Sequence, residues 1–61
     1  MAAKFHVYKD SKGEYRWRFR SGNGQVIASG GEGYATKAGA LAGIAAVQRD
    51  ASDADVVEDD A

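Results

Sequence analysis

The sequence predicts an α+β fold, a β-β-β-α-β unit, on three observations. Residues 14–20 read Glu-Tyr-Arg-Trp-Arg-Phe-Arg, Asn23-Gly24 follows a few positions later, and residues 37–50 carry small and apolar side chains at helical spacing. A strand sends successive side chains to opposite faces, so Tyr15, Trp17 and Phe19 share one face and Arg16, Arg18 and Arg20 the other. One apolar sheet face and one apolar helix stripe are enough to define a two-layer domain.

The first strand, residues 4–9, sets Phe5 and Val7 against His6 and Tyr8. It ends at Asp10-Ser11-Lys12-Gly13. Pairing Asp10 with Glu14 leaves a three-residue loop whose glycine stands where a left-handed residue is wanted. That register puts Phe5 opposite Phe19, Val7 opposite Trp17 and Tyr8 opposite Arg16. A slip of one residue would set Phe5 and Val7 against arginines and divide the apolar face.

Asn-Gly between alternating segments signals a type I′ hairpin, in which both central residues take positive φ. Strand three is then residues 25–29. Pairing Gly22 or Arg20 with Gln25 brings Val26 and Ala28 onto the Trp17/Phe19 face and leaves Gln25, Ile27 and Ser29 beside the arginines. Gly30-Gly31-Glu32-Gly33 reads as a flexible connection to Tyr34. Thr36 is the expected N-cap, and Ala40, Leu41, Ile44, Val47 and Ala51 form the inward stripe of a helix from Lys37 to about Asp50. After a loop at 51–54, the β-branched pair in Asp55-Val56-Val57-Glu58 predicts a fourth strand, and Asp59-Asp60-Ala61 should fray.

A chain of 61 residues makes one domain, with an ordered core at about 4–58. At this length only about 60% of the unfolded surface is buried on folding. With no cysteine and one histidine, association with a second chain is the expected supplement. The absence of cysteine excludes thiol catalysis, Fe–S clusters and Cys-type zinc sites. No apolar leader region and no run near the ~20 residues of a membrane span is present, so the expected location is cytoplasmic. The net charge of −1 hides an asymmetry. Lys4, Lys9, Lys12, Arg16, Arg18 and Arg20 against Asp10 and Glu14 give residues 1–31 a charge of +4. Lys37 and Arg49 against Glu32, Asp50, Asp53, Asp55, Glu58, Asp59 and Asp60 give residues 32–61 a charge of −5.

The chemistry-bearing residues are few. His6, Tyr8, Arg16, Arg18 and Arg20, with Lys4 beside them, form a basic patch with aromatic character on the outer sheet face. Such a face suits single-stranded nucleic acid, guanidinium to phosphate and ring to base. The plainer reading is a solvated face whose arginines pair with Glu14 or are covered by the acidic C-terminal segment of this or a second chain. His6 has no nucleophile or carboxylate fixed by spacing, and Asp53, Asp55 and Glu58 lack the glycine turn of a calcium loop. Neither catalysis nor a metal or cofactor is expected. The glycines at 22, 24, 30, 31 and 33 read as turn chemistry, since the phosphate-loop order is missing. Gly39 and Gly43 read as small residues that let two helices, or the helix and the sheet, approach closely. Trp17 and the other rings of its face read as core.

Tyr8-Lys9-Asp10, Gly13-Glu14-Tyr15-Arg16-Trp17-Arg18, Asn23-Gly24-Gln25-Val26-Ile27-Ala28, Gly33-Tyr34, Lys37, Gly43-Ile44 and Ala54-Asp55-Val56-Val57 together resemble the YegP-like family, domain of unknown function 1508, also uncharacterised protein family 0339. The resemblance spans residues 4–58. It implies a β3-α-β unit that occurs as a tandem repeat or as a homodimer, with one continuous antiparallel sheet, helices on one face and exchanged C-terminal strands. A single copy implies the homodimer. Asp50 and Ser52 depart from the family's more usual Asn and Pro, and Asp50 opposes the helix dipole. The resemblance implies no mechanism. The function expected is therefore non-catalytic binding or structural association as a homodimer, its further partner an unknown protein or a nucleic acid and not a membrane, with nucleic-acid binding through the arginine face as the alternative.

Overall fold

Strand two organises the molecule. The computed structural model describes residues 2–60, in which β1 (Lys4–Lys9), β2 (Tyr15–Arg20) and β3 (Val26–Ser29) form an antiparallel sheet in the order β1-β2-β3. A 14-residue helix, α1 (Lys37–Asp50), lies over β1 and β2, and one 3₁₀ turn, Ala51–Asp53, follows it.

The β1–β2 register is the one that parity demands, running without interruption from Lys4 opposite Arg20 to Lys9 opposite Tyr15. Phe5 stacks on Phe19 with centroids 4.6 Å apart and meets the edge of Trp17 at 5.6 Å. Trp17, Ala40 and Ile44 are the buried hydrophobic side chains among the described residues. Leu41 and Val47, expected in the inward stripe, stay 48% and 37% exposed, because the helix turns its Ala40/Gly43/Ile44 side to the sheet.

The second hairpin departs from expectation. Asn23 does not take positive φ; Gly24 alone does so there, at +90°. The Ser21 carbonyl accepts from Gly24 N and the Gln25 carbonyl accepts from Ser21 N. This is a type I turn closed by a left-handed glycine, the same three-residue loop that Asp10 to Glu14 forms with Gly13 at +83°. Val26 consequently faces Arg20, not the aromatic face, and Ile27 is the extra residue of a bulge between the Arg20–Val26 and Phe19–Ala28 pairs.

The glycine-rich connection is tied to β2 at both ends. Gly30 N donates to the Trp17 carbonyl at 3.1 Å, and Tyr34 exchanges two 2.8 Å backbone bonds with Tyr15. Gly30 and Gly33 serve close approach, not turn chemistry. A Cβ on Gly30 would stand 2.6 Å from the Trp17 Nε1, and one on Gly33 would overlap the Glu14 side chain. Gly39 and Gly43 leave room for the Tyr34 ring against α1, so the closest neighbour they admit is a side chain of the connection and not the sheet or a second helix. The Trp17 indole N–H is buried among these glycines without an acceptor. Thr36 caps the helix, its Oγ1 accepting from Gly39 N at 3.1 Å.

The expected fourth strand does not form within the single chain. Residues 54–60 carry no regular structure, and Val56 and Val57 are 100% and 73% exposed. Strand propensity makes a strand only where an edge offers its hydrogen bonds. Asp59 and Asp60 are exposed and irregular, while the expected fraying of Ala61 lies outside the described residues.

Candidate functional site

The strand alternation that buries Trp17 obliges Lys4, His6 and Tyr8 of β1 and Arg16, Arg18 and Arg20 of β2 to share the outer face, with no helix over it. The face divides into two ends of different electrostatics.

At the loop end, Asp10 has turned into a keystone. Its Oδ1 accepts from Lys12 N and Glu14 N, both at 2.9 Å, and its Oδ2 accepts from Arg16 Nε at 2.6 Å. Glu14 adds a longer contact to the same guanidinium at 3.8 Å. The hydrogen bond from Arg16, followed by that from the Glu14 amide, holds the Asp10 carboxyl below its ordinary value of 3.8. The same bond raises the Arg16 pKa above its usual value. Arg16 is therefore ion-paired on the outer face, its charge compensated by Asp10 while its side chain stays 30% exposed.

At the opposite end the cations have no such partners. Lys4 stands directly across from Arg20, and His6 across from Arg18. Arg20 Nη1 donates to the Gly24 carbonyl at 2.9 Å. The Arg18 guanidinium lies over the Tyr8 ring, 4.3 Å from its centroid. Among the described residues no carboxylate comes within ion-pair distance of Lys4, His6, Arg18 or Arg20. Asp53, Asp55, Glu58, Asp59 and Asp60 make no ion pair there, so in the single chain the acidic segment does not cover the patch. Ala2, Lys4, His6, Arg20, Ser21, Gly22 and Gly24 surround a hollow of about 400 Å³.

Sequence reasoning thus placed His6, Tyr8, Arg18 and Arg20 together correctly. It missed the commitment of Asp10 to Arg16 and the contribution of the second loop to the hollow. The signal for Asp10 was present: a carboxylate at the first position of a three-residue hairpin loop sits on the side of the strand pair where Arg16 emerges. No group of three or more His, Asp or Glu among the described residues could hold a metal ion, and no helix there is long and apolar enough to cross a membrane.

A second feature lies on the inner face. Phe5, Trp17, Phe19 and Ala28 of the sheet and Val47, Gln48, Ala51 and Ser52 at the end of α1 line an open apolar groove of about 390 Å³. α1 covers β1 and β2 only, so the β3 side of the apolar face is unroofed.

Comparison with known proteins matches residues 10–58 to the family described as a domain of unknown function, DUF1508. A UPF0339 protein of Treponema denticola is 53% identical over 58 residues, covering 95% of this chain and 98% of the relative. The UPF0339 protein Atu0232 of Agrobacterium fabrum is 44% identical over 55 residues, covering 90% and 87%. Among solved structures, the solution structure of a protein from Haloferax volcanii superposes with a TM-score of 0.88 at 48% identity, covering 95% of this chain and 97% of that one. That of protein ATU0232 from Agrobacterium tumefaciens gives 0.74 at 38%, covering 92% and 89%.

Proposed function

The chain belongs to the DUF1508 family, and from that premise we propose that it is a non-catalytic binding module, working as a homodimer in which each copy lends residues 55–58 to the sheet of the other. One observation carries the reading: Val56 and Val57 stand wholly or largely in water while an apolar groove beside Phe19 and Val47 stays open. A chain that buries so few large side chains has little stability of its own. A second copy supplies both a lining for the groove and a paired edge for the valine segment. Light scattering at micromolar concentration tests this. The expected mass is twice that of the chain, falling to one with loss of folded signal when Val56 and Val57 are both replaced by Asp. A fully folded protein of single mass would overturn it.

A second reading is favoured by the Arg18–Tyr8 stack: the outer face binds single-stranded DNA or RNA. Sequence-tolerant binding of this kind combines stacking rings with cations that track the backbone, and weakens steeply with salt. Titration with mixed-sequence oligonucleotides at low and high salt tests it. Absence of binding at low salt would remove it.

A further inference from the structure

We infer that the open end of the outer face holds one nucleotide unit of a single strand, its phosphate in the hollow between Lys4, His6 and Arg20 and its base on the Tyr8 ring. The inference rests on the nucleic-acid reading above and assigns the two halves of the ligand to separate residues. Like charges directly opposite across an antiparallel pair destabilise it. This sheet nevertheless places Lys4 opposite Arg20. At the other end of the same two strands, Asp10 and Glu14 compensate Arg16. Compensation is therefore available to this fold and is confined to one end. Lys4 and Arg20 line, with His6, Ser21 and Gly22, an open hollow of about 400 Å³, roomy enough to admit a phosphate group with its sugar. Two residues along β1 from His6, the Tyr8 ring already carries a planar cation, the Arg18 guanidinium, which shows that a flat group fits over it. Displacing or sandwiching the Arg18 guanidinium with a base keeps the ring covered and brings that guanidinium to the phosphodiester.

The test uses the full chain, a short oligothymidylate, the matching abasic oligonucleotide and free thymidine, with affinity measured across salt concentration. Each phosphate contact in a single strand contributes about 0.7 to the salt slope. Lys4→Gln and Arg20→Gln are each expected to lower the slope by about that amount for both oligonucleotides, and Arg16→Gln to leave it unchanged. Tyr8→Leu is expected to weaken oligothymidylate about tenfold, as loss of one stacked base does, with the slope kept and the abasic strand unaffected. Tyr8→Phe should restore affinity. Oligothymidylate binding that is insensitive to Lys4, Arg20 and Tyr8 would overturn this site while leaving the nucleic-acid reading standing. Absence of binding to either oligonucleotide would end both. Lowered dimer mass in Lys4→Gln and Arg20→Gln, with anion affinity unchanged, would also overturn it, by showing that a second copy's acidic segment occupies the cluster.

Discussion

The two hairpins turn through the same loop, yet the first is a regular ladder and the second a bulged one. Both close a type I turn with a glycine in the left-handed region. In the first, the loop's opening residue is Asp10, which binds two loop amides and reaches sideways to Arg16. In the second, Asn23 Oδ1 accepts from the Ser21 hydroxyl and from Gln25 N, and neither side chain reaches a strand side chain. One carboxylate thus decides three things: the order of a loop, the neutrality of one end of a face, and by contrast the surplus of positive charge at the other.

β2 belongs to both hairpins, so the largest effect should come from its centre. Trp17→Ala is expected to cost about 3–5 kcal/mol, enough to unfold a small domain, and should take both hairpins down together in thermal denaturation followed by circular dichroism. Gly30→Ala separates them. Its Cβ would meet the Trp17 indole and not a flexible chain end, at a cost of about 1–3 kcal/mol. Hydrogen exchange should show protection lost first at β3 and retained across β1–β2, with Gly31→Ala, which meets nothing, as the silent control. If Gly30→Ala loosens both hairpins equally, they form one cooperative unit and the contrast is local only.

A smaller and more pointed comparison is Gly13→Ala against Gly24→Ala. Both positions need positive φ and both open onto space, so each substitution should cost about 1–2 kcal/mol through backbone strain alone. Equal losses in urea denaturation would show that the loops are the same device. A larger loss at Gly13 would mean that the Asp10–Arg16 pair amplifies strain in its own loop.

Legibility in the sequence follows the same division. The first hairpin could be read in full, because parity, loop length and a glycine at the required place agree. Phe5, Val7 and Tyr8 took the predicted partners. The second gave a misleading signal. Asn-Gly suits a type I′ turn, but Ser21-Gly22 ahead of it completes a type I turn with the same Gly24 left-handed, and the extra residue is absorbed at Ile27. Alternation likewise placed His6, Tyr8, Arg18 and Arg20 on one face. It could not show which arginine was already spent, since that depends on a side chain six residues away. The valine pair near the C-terminus was read as a strand from propensity, but the missing half of a strand is its neighbour, which a single chain's local pattern does not contain.

The finest test of the contrast is acid. Hydrogen bonds from Arg16 and from the loop amides depress the Asp10 pKa in the fold relative to the unfolded chain. A depressed carboxyl contributes stability that is present above its unfolded value and is lost as pH falls through the folded one. The first hairpin should therefore loosen below the ordinary carboxyl value of 3.8, while the second, whose loop is held by neutral Ser21 and Asn23, should show no loop titration of its own. Asp10→Asn removes the titrating group and frees Arg16, so it should weaken the first hairpin at neutral pH and flatten its acid response. Amide exchange at Lys12 and Glu14 against Asn23 and Gln25, followed from neutral pH into acid, reads the two loops separately in one sample. Parallel loss in both would assign acid sensitivity to the whole fold, and the keystone role of Asp10 would fall with it.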